Sequence, residues 1–172
     1  AGDLTTVVVV AGSFLRPVGG WLSDRVGGYR VLVVLVAGVG VCVALVGMMP
    51  PVRVADGLLF VAMALLGMGN GAVFQLVPQR FPERIGLVTG VVGAAGALGG
   101  FMLPSLLGAI RDYTGSYAPG LFGCAAVFLC GLVLLLELGA RWSQRWDVAA
   151  AQRAGIYSYR ASLAGLDDES PA

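Results

Sequence analysis

Arg16 sits where a charge is hardest to place. It lies nine residues before Arg25 in an otherwise apolar run, about 13–14 Å along a helix at 1.5 Å per residue. Half of a hydrocarbon core of about 30 Å is about 15 Å. A helix that meets the membrane surface at Arg25 therefore carries Arg16 to the bilayer midplane. A charge at that depth is costly and by default marks a substrate path or a paired ion. The competing reading is a structural ion pair, yet the sequence offers no buried carboxylate opposite it. Glu137 falls close to one end of its own apolar run.

Two further features fall at the same depth. Asn70 lies ten residues before Arg80, about 15 Å along a helix. Gly67, Asn70, Gly71 and Phe74 follow an i, i+3, i+4, i+7 stripe and share one helix face. An amide offers both donors and an acceptor, so Asn70 suits a ligand or, equally, a hydrogen bond between helices. Gly86, Gly90, Gly93, Gly96 or Ala97, and Gly100 recur every three or four residues, and Gly93 also reaches the midplane, nine residues after Arg84. Small residues let helices pack closely. Bare backbone can also line a narrow path or let a helix slide, and the two readings overlap.

The chemistry that follows is anion binding. Arginine stays charged in proteins, and no acid accompanies it at the midplane. A planar guanidinium matches a planar, oxygen-bearing anion through parallel hydrogen bonds. Coincidence of three features from three helices at one depth points to a midplane binding site.

The elements that must hold these residues are membrane helices. Of 172 residues, 58% are hydrophobic and 12% charged, about half the charge of a soluble domain; the mean hydropathy is +0.86. The composition excludes disorder, which needs the opposite bias. A span needs about 20 mostly apolar residues. Residues 30–49, 57–77, 85–110 and 117–139 qualify, and 3–22 qualifies if it carries Arg16 inside. The predicted fold is all-α: a polytopic helical membrane protein of about five spans over 1–140. The runs are too long, and alternate too little, for barrel strands. Each break holds Gly or Pro, the residues of turns. The 27 glycines exceed the about 7% of an average chain, and membrane helices tolerate them.

Other classes fall away. All 11 basic residues are arginine and histidine is absent, which removes His-based acid–base chemistry and His-ligated metals. Cys42, Cys124 and Cys130 lie in apolar runs and match no zinc spacing. No nucleophile–base set is present, so an enzyme is not expected, nor a cofactor, nor a metal. A net charge of +1 gives no bulk attraction for nucleic acid.

Arginine counts set the orientation. Arg25, Arg30, Arg80, Arg84, Arg141, Arg145, Arg153 and Arg160 fall on one side, Arg53 and Arg111 on the other. The first side is expected to be cytoplasmic, with the C-terminus inside. Residues 141–172 read as a cytoplasmic tail, with Trp142 and Trp146 at the lipid interface and an acidic end. The first span begins almost at the first residue with no signal-peptide pattern before it. Together with an odd span count, this reads as part of a longer protein.

The turn between the first two spans carries a recognisable pattern. Gly20-x-x-x-Asp24-Arg25-x-Gly27-x-x-Arg30 resembles the cytoplasmic-loop motif of the major facilitator superfamily. Arg16-Pro17-Val18-Gly19-Gly20 resembles helix 8 of its nitrate/nitrite porter branch. Gly67-Met68-Gly69-Asn70-Gly71-Ala72-Val73-Phe74, followed by Val77-Pro78, is similar to helix 10 of that branch. The run from Thr89 to Phe101 resembles its second nitrate signature, on helix 11. The loop motif is specific to the superfamily only; the ordered set of three is specific to the branch.

The resemblance implies helices 8–12 of a twelve-helix transporter, partnered by helices 1–7 of a missing N-terminal half. It implies nitrate or nitrite as the substrate. Arg16 would bind the anion, with Asn70, Gly93 and Gly96 around it. Asp24 and Arg25 would serve in gating, and Gly90 and Gly100 in packing. Alone, such a chain would not be expected to transport. Two alternatives stay open: a facilitator for another small anion or a drug, and a non-transporting membrane subunit.

Overall fold

The structure, a computed structural model, describes residues 2–142. Beyond Trp142 the expected tail lies outside the described residues. The helices are α1 (Gly2–Phe14), α2 (Arg16–Val26), α3 (Gly28–Gly47), α4 (Val52–Arg80), α5 (Ile85–Thr114) and α6 (Ala118–Trp142), with a short 3-10 turn at Pro82–Arg84 before α5. Among the described residues there is no strand. Four helices among the described residues are long and apolar enough to cross a membrane: α3, most of α4, α5 with its 3-10 turn, and most of α6. The chain is therefore a polytopic helical membrane protein.

The first span is not the single helix read from residues 3–22. It divides at Leu15 into α1 and α2, of 13 and 11 residues. Pro17 supplies the reason. It has no N–H to offer the Ser13 carbonyl, and its ring crowds that carbonyl. Pro is tolerated in a first turn, so a new helix starts at Arg16 with Pro17 inside its first turn. Neither piece alone reaches spanning length. Pro78, read as part of a turn, lies within α4 near its end, where little of the helix remains to be disrupted.

Tight turns join the rest. Gly27 separates α2 from α3 with φ 98°, a conformation open to glycine and strained for other residues. Gly115 ends α5 at φ 74°, a left-handed C-cap whose N–H is donated to the Arg111 carbonyl. Arg111 also reaches Tyr117 across this turn, through a 3.3 Å hydrogen bond and a guanidinium 5.0 Å from the ring centroid.

α4 is the centre of the bundle. It packs against α3, α2 and α1, while α3 packs on its other side against α6. Val31, Leu35 and Ala72 are buried at the α3–α4 contact, covered by Leu22, Leu65 and Met68. The α3–α6 contact is closed by Tyr29, whose hydroxyl donates to the Leu135 carbonyl at 3.3 Å. The Tyr29 ring also fills the space a Cβ on Gly139 would need. α5 stands apart, packing lightly on α4 and α6 and burying none of its residues.

Candidate anion site

The break at Leu15 matters because Arg16 opens α2 immediately after it. Opposite it runs α4, held close by glycines. A Cβ on Gly67 would coincide with the Gly12 carbonyl, and one on Gly71 with the Arg16 carbonyl. Only two glycine faces let the backbones approach so closely. The approach leaves a pocket of about 240 Å³. Gly12, Ser13 and Arg16 line one wall; Met63, Gly67 and Asn70 line the other.

Two of the residues picked out by depth, Arg16 and Asn70, thus meet in one pocket. No acid is among its lining residues, so none of them offsets the charge of Arg16. The Asn70 carbonyl oxygen is buried without a hydrogen-bond partner. The volume lies below the about 300–1,000 Å³ of pockets for drug-sized ligands and suits an ion of a few atoms. A larger cavity of about 340 Å³ lies between α3 and α6, but residues such as Val36, Ala44 and Phe128 line it with no charge. It offers an anion nothing.

Ser13 was not anticipated from the sequence. It lines the same pocket, and its hydroxyl donates to the Val9 carbonyl at 3.0 Å. Its spacing from Arg16 gave no clear signal, since the two residues fall on separate helices either side of Leu15.

The glycines of α5 are elsewhere. Gly90, Gly93, Gly96 and Gly100 are exposed, and a Cβ on any of them would meet nothing within 4 Å. Gly93 and Gly96 do not line the Arg16 pocket. Equal depth did not bring them to the same place within this chain.

At the end of α2 the loop residues part company. Asp24 accepts a hydrogen bond from Gln75 Nε2 of α4. Arg25 turns away and stacks on Trp21, 4.0 Å from the ring centroid. Beside them Ser23 is fully buried and donates to the Gly19 carbonyl at 2.8 Å. No sequence signal marked Gln75.

A loop motif, a glycine-sealed helix pair and an arginine in an apolar run are joined in one chain. The profile of the Major Facilitator Superfamily matches residues 1–155. The chain belongs to the Major Facilitator Superfamily. Its similar relatives include the nitrite extrusion protein of Bacillus subtilis, 35% identical over 146 residues, which cover 84% of this chain and 36% of that protein. The probable nitrate/nitrite transporter NarK2 of Mycobacterium tuberculosis is 40% identical over 114 residues, 65% of this chain and 29% of the relative. The probable nitrate/nitrite antiporter NarK1 of Thermus thermophilus is 35% identical over 135 residues, 67% of this chain and 30% of the relative. This facilitator chain spans about a third of the length of the curated relatives it matches. No solved structure gives a significant match.

Proposed function

We propose that this chain forms the C-terminal part of a nitrate/nitrite transporter that works by alternating access. The observation that carries the reading is the shared pocket of Arg16 and Asn70, positively charged and free of acids among its lining residues. Arg16 binds the anion by parallel hydrogen bonds from its planar fork, and Asn70 adds an amide N–H donor from α4. Relatives named for nitrate or nitrite transport supply the choice among small oxyanions.

The rest of the transporter completes the site. An N-terminal half corresponding to helices 1–7 lies against the exposed α5 and encloses the anion, and in that assembly Gly93 and Gly96 supply bare backbone beside it. Gly90 and Gly100 pack there, and Arg25 faces the other half at the membrane surface. The arginine-rich side faces the cytoplasm of a bacterial plasma membrane, with the C-terminus inside. The chemistry is transport, with no catalytic step and no cofactor.

The test is uptake of labelled nitrate by membrane vesicles containing the full-length transporter. Arg16→Ala should abolish it with the protein still present in the membrane. Near-normal uptake by that variant would sink the assignment. Competition by a panel of anions separates a nitrate carrier from a facilitator of another substrate.

A further inference from the structure

The Arg16 pocket is one end of a longer seam. Along it, α2 and α4 meet backbone to backbone: the Arg16 carbonyl stands where a Cβ on Gly71 would, and the Met68 carbonyl where a Cβ on Gly19 would. No side chain lies between the helices at these points to absorb a shift, so close packing makes them move together. Asp24 stands at the far end of α2, eight residues beyond Arg16, about 12 Å along the helix.

Gln75 of α4 closes that far end. Its Nε2 donates to Asp24 Oδ1, while its Oε1 is buried without a hydrogen-bond partner. Gly28, the first residue of α3, lies against the same side chain; a Cβ there would stand 3.0 Å from Oε1 and 2.7 Å from Leu76 Cγ. One amide therefore touches the carboxylate near the end of α2 and the glycine that opens α3. Turning the amide over would set its oxygen against the carboxylate. The charged acceptor thus fixes the amide's orientation, and a hydrogen bond to an ionised group is strong enough to offset an orphaned carbonyl.

We propose that Gln75 is a positioning residue that clamps Asp24, and with it the α2–α3 turn, to α4, so that the turn moves with the Arg16 pocket. The inference rests on the transport reading for its purpose: Arg16 sets anion affinity, and the clamped turn carries the bundle's movement at the membrane face. Gln75 does not touch the anion. Loss of the clamp lowers turnover and leaves affinity alone.

The test uses the full-length transporter in vesicles with labelled nitrate. Gln75→Leu should lower Vmax about tenfold, the effect of losing one hydrogen bond to a charged group, with KM within about twofold of the parent. Gln75→Glu sets two carboxylates together and should be at least as slow. Combining Gln75→Glu with Asp24→Asn reverses donor and acceptor and should restore most of the lost rate, which a residue needed only for packing would not do. An unchanged Vmax in Gln75→Leu, a raised KM in its place, or no rescue by the double variant would overturn the proposal. A second readout does not depend on transport. A cysteine introduced by Val26→Cys, at an exposed position, should react faster with a membrane-impermeant maleimide in the Gln75→Leu background and return to the parent rate in the swapped pair. If labelling responds in this way while the parent moves no nitrate, the clamp stands and the nitrate reading fails. Labelling indifferent to Gln75 removes the clamp.

Discussion

The Gly12 carbonyl of α1 occupies the place that a Cβ on Gly67 of α4 would take. In a membrane the association of helices rests on such close packing, because lipid is as apolar as leucine. Gly67→Val should therefore force α1 from α4. Overpacking costs about 1–3 kcal/mol even where side chains can move, and here the opposing atoms are backbone. Gly69 is the control, since a Cβ there meets nothing within 4 Å. Gly69→Ala should leave stability unchanged or raise it by up to about 1 kcal/mol through helix propensity. Thermal unfolding in detergent, followed by circular dichroism, should show a lower midpoint for the first variant only.

Arg16→Lys separates charge from shape. Lysine keeps the positive charge but replaces the planar fork by a point charge with no paired donors. If a planar oxyanion is held by two parallel hydrogen bonds, losing one of them should weaken nitrate binding about tenfold, while halide competition changes less. Equal losses for nitrate and halide would mean that the pocket reads charge alone.

Asn70 is tested by replacing the amide in two ways. Asn70→Leu removes one hydrogen bond, worth about 0.5–1.5 kcal/mol, and should raise the KM for nitrate several-fold. Asn70→Asp keeps the size and adds a carboxylate to a pocket lined by Arg16. The pair would be neutral together, and anion binding should fail much further than with leucine. Similar effects from both variants would make Asn70 a link between helices only.

Which residues of two helices stand level with each other was legible in the sequence, and direction around a helix was not. Counting 1.5 Å per residue from Arg25 and from Arg80 put Arg16 and Asn70 at one level, and the structure lines one pocket with both. The same count put Gly93 there, yet α5 presents its glycines away from the pocket. A rise along an axis follows from helix geometry alone, whereas the face a helix turns to its neighbours depends on which neighbours are present. Long apolar runs likewise announced α3 to α6. The division at Leu15 was missed because hydropathy is blind to the carbonyl that Pro17 leaves without a donor. Gln75 was missed for a related reason: a lone glutamine gains meaning only when packing brings Asp24 to it.

The α5 glycines give the last prediction. Gly90, Gly93, Gly96 and Gly100 meet nothing within 4 Å when a Cβ is added, and α5 buries no residue. Within this chain, then, Gly93→Val removes no contact and creates no clash. Its effect on the thermal stability of the 172-residue chain should stay within about 0.5 kcal/mol, the range of ordinary surface substitutions. If the face is covered in the full transporter by another helix or by the anion, the same substitution should strongly depress nitrate uptake there. A loss confined to the full-length protein would show that the glycines serve an interface this chain does not itself contain. A loss of stability in the isolated chain would mean instead that α5 turns this face inward against α4 or α6.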